Sequence, residues 1–79
     1  MSQDRPHVAI GSNIRAARKA MHWNQMKLAK LIGVSRQTLH SYEQAKVACP
    51  SDKLLEISRL VGKPTGWFFE ESHYDLRYM

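Results

Sequence analysis

Residues 25–44 read QMKLAKLIGVSRQTLHSYEQ, and this stretch decides the fold of the chain. Its apolar residues recur at helical spacing on both sides of Gly33, which predicts two short helices, 25–32 and 36–44, joined by a tight turn. Gly33 supplies the left-handed backbone that such a turn needs. Ala29 is the most informative residue, because two helices that cross this closely leave room for little more than a methyl group at their contact.

The same spacing predicts which faces of the two helices are buried. Five apolar residues are expected in the core: Leu28, Ala29, Ile32, Leu39 and Tyr42. Asn24 and Ser35 stand just before the helices and are expected to cap them. A helix-turn-helix of this form lays its second helix in the major groove of DNA. DNA binding is therefore the first functional hypothesis that the sequence favours.

Outside this stretch the pattern predicts three further helices. The first is expected from about Ser12 to Met21, the fourth between Ser51 and Gly62, and a short fifth helix or turn begins at Trp67. The end of the chain alternates in polarity, which predicts a short strand or an extended tail. The expected fold is an all-α bundle of five short helices, divided into a flexible arm (1–9), a helix-turn-helix domain (10–70) and a tail that serves in dimerisation (71–79).

Composition limits the classes of function. A chain of 79 residues can hold one small domain. Lys and Arg number 12 against 7 Asp and Glu, a net charge of +5 that favours a polyanionic partner. The single cysteine excludes an intrachain disulfide, and no segment has the apolar length of a signal peptide or a membrane span. We therefore expect a cytoplasmic protein with no membrane partner.

Enzymatic chemistry has little support in the sequence. The four histidines are scattered, without the spacing or the cysteine partners of a zinc site. Cys49 precedes a proline and has no histidine near it in sequence, so we interpret it as a structural thiol. The chain also lacks a glycine-rich phosphate loop. We expect no enzyme activity, no metal and no cofactor.

Taken together, these residues resemble the Cro/repressor type of helix-turn-helix regulators of phages and bacteria. The resemblance covers about residues 10–69, and its most specific runs are IRAAR (14–18), NQMKLA (24–29), LIGVS (31–35), the pair Tyr42-Glu43, and Pro50 before the fourth helix. Three positions depart from the family pattern. His22 and Ala45 stand where the family often has glycine, and Ala17 stands where it has a larger aliphatic residue.

The outward edge of the second motif helix carries the candidate DNA readers. Arg36 can donate two hydrogen bonds to guanine, and Gln37 can bridge the edge of adenine. The resemblance implies base contacts at the positions of Arg36, Gln37 and Ser41. The full set of expected base-contacting residues is Arg36, Gln37, Ser41, Thr38 and His40, and the expected phosphate-contacting residues are Gln25, Asn24, Lys27, Ser35, Lys46 and Arg5. The alternative is that this polar face is merely solvated.

Two further expectations concern structure and assembly. The resemblance implies that Arg18 and Glu43 form an ion pair that holds the second motif helix at its angle. A unit of this size contacts few bases, so we expect a homodimer on a palindromic duplex. The expected dimer surface is Trp67, Phe68, Phe69, Tyr74 and Leu76, with burial in the core as the alternative for the three clustered aromatics.

The function expected from the sequence is that of a sequence-specific regulator of transcription, acting as a repressor. The alternative is an antitoxin that represses its own operon and binds a toxin through its tail. Length and the aromatic C-terminal region fit both functions, and the sequence does not choose between them.

Overall fold

Residues 6–71 are described by the computed structural model of the chain, with side chains from residue 9 onward. Four α-helices and one 3₁₀ turn follow in order: α1 Pro6–Ala20, α2 Gln25–Ile32, α3 Arg36–Glu43, α4 Ser51–Val61 and the 3₁₀ turn Thr65–Phe69. The all-α class is confirmed, but the fifth helix is a 3₁₀ turn. Residues 6–71 include no strand, and the one expected over 73–79 falls beyond them. None of the helices described is long and apolar enough to cross a membrane.

The first helix begins at Pro6, six residues before the predicted start at Ser12. Proline suits the first position of a helix because its missing N–H would have no intrahelical acceptor and its φ is already helical. The helix therefore includes residues 6–9 of the predicted flexible arm, and Ser12 lies within it rather than capping it. The fourth helix differs by one position, since Ser51 is its first residue and Pro50 occupies the N-cap.

The motif helices and their turn follow the prediction closely. The Asn24 side-chain oxygen accepts a hydrogen bond from the backbone N–H of Lys27 at 2.8 Å. The Ser35 hydroxyl oxygen accepts one from the backbone N–H of Thr38 at 3.0 Å, and Gly33 is left-handed with φ 73°. The helix α2 has its predicted bounds, and α3 ends one residue early. Helices of two or three turns persist only when they are packed against others.

A single apolar core supplies that packing. All five core residues predicted for the motif are buried, together with five others: Ile14, Ala17, Leu54, Ile57 and Phe68. Burying a large aliphatic or aromatic side chain contributes about 1.5–3 kcal/mol. Lys53 adds a polar link from α4, because its Nζ donates to the carbonyl oxygen of Ile32 at 2.8 Å. This contact satisfies a carbonyl that the end of α2 leaves without an intrahelical partner.

Gly11 allows α1 to pass close to the end of α3. A Cβ added at Gly11 would fall on the carbonyl oxygen of Tyr42 and lie 2.9 Å from that of Glu43. Both atoms belong to the backbone, so neither can rotate away. Gly11 was not predicted to have this role, although a glycine inside a helix costs about 1 kcal/mol relative to alanine and is itself a signal of close packing.

Asn13 ties α1 to the 3₁₀ turn at the other end of the chain. Its side chain is fully buried, and Nδ2 donates toward the carbonyl oxygens of Phe68 at 3.1 Å and Glu70 at 3.0 Å. The Trp67 carbonyl oxygen lies 3.4 Å from the same nitrogen. A polar residue on the apolar side of a helix is the sequence signal for such a role, and the role of Asn13 was not predicted.

Left-handed residues close all four described α-helices, and only two of them are glycines. Gly33 and Gly62 have φ of 73° and 74°, while His22 and Ala45 have φ of 62° and 61°. After α3, the N–H of Lys46 donates to the carbonyl of Ser41 at 2.9 Å, which closes a Schellman-type end around Ala45. The two non-glycine positions are two of the three at which the sequence departs from the family pattern.

Candidate nucleic-acid interface

The helix α3 has one face in the core and one at the surface. Leu39 and Tyr42 are buried, whereas Arg36 and Gln37 are exposed side by side in its first turn. The remaining predicted base contacts, Thr38, His40 and Ser41, are half-buried. The start of α3 is therefore its most accessible part, as a helix that enters a groove by its N-terminal end requires.

A buried ion pair fixes the other end of α3. Arg18 on α1 donates from Nε to Glu43 Oε2 at 2.7 Å and from Nη2 to Oε1 at 3.1 Å. Only 9% of the Arg18 side chain and 1% of the Glu43 side chain are exposed. Nη1 of Arg18 also donates to the carbonyl oxygen of Trp23 at 2.8 Å, which ties in the turn between α1 and α2. The structure thus brings together the two residues expected to pair.

Gln25 connects this ion pair to the exposed start of α3. Its Nε2 donates to Glu43 Oε1 at 3.0 Å, and its Oε1 accepts from Arg36 Nη1 at 3.1 Å. The same Nε2 lies 3.3 Å from Nδ1 of His40. The amide nitrogen has two hydrogens and two protein atoms within 3.3 Å. The side chain of Gln25 is thus engaged within the protein, while the backbone N–H groups at the start of α2 also suit a phosphate.

Two other residues expected to contact phosphate are also helix caps, as the sequence predicted. Asn24 accepts through its side-chain oxygen, and Ser35 both accepts from Thr38 N–H and donates from its hydroxyl to Thr38 Oγ1 at 2.9 Å. The Ser35 hydroxyl thus has its hydrogen engaged within the protein, whereas the Thr38 hydroxyl only accepts in this contact and keeps its own hydrogen. Lys27 and Lys46 are exposed, so their ammonium groups can reach an anion. Arg5 precedes the described part of the chain.

The aromatic residues expected at a dimer surface separate into three environments. Phe68 is fully buried, so its assignment to that surface is wrong. Trp67 is half-buried, packs edge-on against Phe68 at 4.9 Å between ring centroids and has the Lys63 ammonium 5.1 Å over its ring. Phe69 is 55% exposed. Tyr74 and Leu76 follow the last described residue.

An open apolar groove adjoins Phe69. It encloses about 410 Å³ between the start of α4 and the 3₁₀ turn, and it is lined by Ser51, Asp52, Leu54, Leu55, Thr65 and Phe69. Leu55 is 41% exposed there. Phe69 and Leu55 together are the apolar surface that a partner can cover at this end of the protein.

The single thiol has no nucleophilic character. Burial raises the pKa of Cys49 to about 11, and the Asp52 carboxylate adds to the shift while Lys53 opposes it. Burial also raises the pKa of Tyr42, with smaller contributions from Cys49 and Asp52. A thiol with a raised pKa stays protonated and unreactive near neutral pH. Across the side chains described, no three His, Cys, Asp or Glu residues cluster as a metal site would need.

Comparison with known proteins gives the family. A helix-turn-helix family model matches residues 14–68, which is most of the chain and includes α2, the turn and α3. The chain belongs to the Cro/repressor-type helix-turn-helix regulators. The resemblance stated from the sequence motifs is confirmed.

Individual relatives agree with this family. An uncharacterized HTH-type transcriptional regulator of Sinorhizobium medicae is 29% identical over 68 residues, which are 86% of this chain and 49% of that protein. The chain spans about half the length of the curated relatives it matches.

Solved structures share the same arrangement of helices. The P22 c2 repressor, crystallised with a synthetic operator, superposes with a TM-score of 0.71 and 26% identity over 77% of this chain and 92% of that one. The clp gene regulator ClgR of Corynebacterium glutamicum has a TM-score of 0.76 at 20% identity, covering 84% of this chain and 86% of that one.

Proposed function

We propose that this chain is a sequence-specific DNA-binding regulator that represses transcription as a homodimer on a palindromic operator. One observation carries the proposal: Arg36 and Gln37 are exposed together at the start of α3, whose opposite end is held in the core by Glu43. A helix fixed at one end and open at the other can be inserted into the major groove without refolding. Membership of the family and the likeness to the c2 repressor support this interpretation.

The side chains at the start of α3 match the edges of base pairs. Arg36 can donate two hydrogen bonds to guanine O6 and N7, and Gln37 can both donate to and accept from adenine. Ser41 lies about one helical turn further on, where its hydroxyl can meet the next base or phosphate. Thr38 offers its methyl group and the hydrogen of its hydroxyl, whose oxygen accepts from Ser35. These contacts supply the sequence preference.

Phosphate contacts would hold α3 in register. The backbone N–H groups at the start of α2 carry the positive end of the helix dipole, and the exposed Lys27 and Lys46 add charge. The net charge of +5 favours the same partner. If 6–10 phosphates are neutralised, affinity is expected to fall by about 10³–10⁵ between 50 and 200 mM salt.

Homodimer formation is proposed through the groove beside Phe69. Phe69 near the end of the described chain and Leu55 on α4 are exposed apolar residues that line this groove. Two copies that cover this surface would bring two α3 helices to one face of the duplex and double the number of bases contacted. The same groove favours the second candidate function, an antitoxin that docks a toxin there and represses its own operon.

The test is selection of bound fragments from random duplexes, followed by footprinting of the preferred site. We expect a two-fold symmetric operator. Arg36→Ala and Gln37→Ala should each lose about 1–3 kcal/mol of discrimination at one base pair per half-site. Arg59→Ala removes the same charge from an exposed position on α4 and should leave the preference unchanged.

Three results would contradict parts of the proposal. An unchanged base preference in both α3 variants would show that Arg36 and Gln37 do not make the base contacts. An asymmetric footprint from one subunit would contradict binding as a homodimer. A stable complex with a second protein that is lost in Phe69→Glu would favour the antitoxin.

A further inference from the structure

The amide of Gln25 stands at the centre of a chain of contacts that runs from the buried ion pair to the surface. Its nitrogen and oxygen can be assigned from chemistry alone. Arg36 has only donors and lies 3.1 Å from Oε1, while the Glu43 carboxylate has only acceptors and lies 3.0 Å from Nε2. Exchanging the two amide atoms would place donor against donor and acceptor against acceptor, so the observed orientation is the one that satisfies both partners.

This orientation determines what His40 must do. Nδ1 of His40 lies 3.3 Å from Gln25 Nε2, which is a donor. Nδ1 can therefore contact Gln25 favourably only as an acceptor, which requires a neutral ring that carries its proton on Nε2. Nδ1 of the half-buried ring thus accepts the second hydrogen of the amide, and Oε1 of Glu43 accepts the first.

We propose that His40 is a positioning residue that fixes the amide of Gln25 and, through it, the guanidinium of Arg36. Protonation of His40 would then loosen the reading of the base that Arg36 contacts. The inference rests on the proposed function, because it concerns how Arg36, a proposed base-contacting residue of α3, is held in position by Gln25 and His40. It replaces the direct base contact expected for His40 from the sequence.

Protonation leaves the amide without a satisfactory orientation. In the present orientation, an Nδ1–H group would point at the N–H of Gln25. A flipped amide would accept from Nδ1–H, but its oxygen would then meet the Glu43 carboxylate and its nitrogen would meet the donors of Arg36. Either way at least one hydrogen bond is lost, and the flipped form gives up the contact that holds Arg36.

The charges around His40 give protonation a second effect of opposite sign. Arg36 and Glu43 share its helix, Arg18 on α1 meets it through Glu43, and α2 contributes the neutral amide of Gln25. On DNA, phosphates would surround the same face of α3. A cationic His40 would therefore strengthen binding to any duplex while it weakens discrimination at the Arg36 base pair. Unfolding at low pH would instead weaken both the binding to any duplex and the discrimination at that base pair.

The experiment measures discrimination at two pH values. The full chain is titrated with its selected operator and with the duplex changed at the base pair whose preference Arg36→Ala abolishes. Imidazole changes its charge between about pH 5 and 8, so pH 8.0 and pH 5.5 are compared. We expect the affinity ratio of wild type to fall about three- to tenfold at pH 5.5, the effect of one neutral hydrogen bond.

Two variants isolate His40. His40→Gln keeps an acceptor but does not titrate, so its affinity ratio should be the same at both pH values. His22→Gln removes an exposed histidine in the turn before α2 and should keep the wild-type pH dependence. A ratio that is independent of pH in wild type, or dependent on pH in His40→Gln, would overturn the inference and leave the proposed function intact.

Nitrogen NMR of the free wild-type protein tests the same inference without DNA or variants. At pH 8.0 the Nδ1 of His40 should have the shift of an unprotonated, hydrogen-bonded ring nitrogen, and Nε2 should carry the proton. A proton on Nδ1 would overturn the assignment. Absence of any preference among duplexes would instead refute the proposed function, and the NMR result would still decide the role of His40.

Discussion

The two ends of α3 are held in opposite ways. Its last residue, Glu43, is buried and bonded to Arg18 and Gln25, whereas its first residue, Arg36, is exposed and touches the protein through one hydrogen bond to Gln25. Residues at the buried end can be changed only at the expense of the fold, and residues at the exposed end can be changed without affecting it. A helix of eight residues therefore has the residues that hold the fold at one end and the residues proposed to read DNA at the other.

Glu43→Ala tests the buried end and should have the largest effect. Removing the carboxylate leaves the Arg18 guanidinium buried without a counter-charge, so we expect a loss of about 3–5 kcal/mol in the free energy of unfolding. Urea denaturation of Glu43→Ala, Arg18→Ala and the double variant measures it. The two single losses should not add, because both variants break the same pair.

The surface pair Lys53–Glu56 is the matched control. Its charged atoms are 3.8 Å apart, and 25% and 45% of the two side chains are exposed. Solvent screens such a pair, so Glu56→Ala should cost at most about 1 kcal/mol. Additive losses for Arg18 and Glu43 would show that the buried end of α3 is not held by their interaction.

Gly11→Ala tests the same end from the side of α1 and should have the second-largest effect. The new methyl group would strike the carbonyl oxygens of Tyr42 and Glu43, so α1 and α3 would have to move apart. We expect a net loss of about 1–3 kcal/mol, even though alanine favours a helix more than glycine does. Thermal unfolding followed by circular dichroism measures the loss.

Gly66→Ala is the control for the change of residue type. A Cβ there would meet no atom within 4 Å, and the backbone is not left-handed. Its stability should equal that of wild type or exceed it slightly, because alanine restricts the unfolded chain. An equal loss in both variants would mean that the close approach of α1 to α3 is not what Gly11 provides.

The sequence predicted both faces of α3 and, through the family resemblance, the Arg18–Glu43 pair, but it did not predict the contacts of Gln25. Helical spacing and the turn at Gly33 were sufficient to place Arg36 and Gln37 outside and Leu39 inside, because periodicity reports which face of a helix is buried. Spacing does not report which polar atoms meet between helices that are distant in sequence. The contacts of Gln25 with Arg36, His40 and Glu43 depend on such a meeting, so the sequence did not predict them.

The remaining errors have similar causes. Phe68 and Phe69 are adjacent aromatics of the same type, and only the direction of the 3₁₀ turn decides that one is buried and the other exposed. Asn13 is polar, so a pattern of apolar residues passes over it, although three carbonyl oxygens surround its Nδ2. The early start of α1 at Pro6 was missed because the predicted helix was begun where the apolar pattern was clear.

Ala45→Gly addresses the exit of α3 and should have the smallest effect, with the opposite sign. Ala45 has φ of 61°, a left-handed conformation that costs an L-residue about 1–2 kcal/mol and costs glycine almost nothing. The greater freedom of glycine in the unfolded chain returns about 0.4–1 kcal/mol of that gain. We expect a net stabilisation of about 0.5–1 kcal/mol, measured by urea denaturation.

Gly33→Ala makes the reverse substitution at the left-handed position that ends α2. A Cβ at Gly33 would meet no atom within 4 Å, so the cost of the variant reports the left-handed backbone and the unfolded chain, without a steric contribution. It should destabilise by about 1 kcal/mol.

Since Ala45 follows the buried end of α3, Ala45→Gly should leave the base preference of Arg36 unchanged while it raises stability. A shift in that preference would mean that the two ends of α3 are coupled, and stability could then not be adjusted independently of recognition.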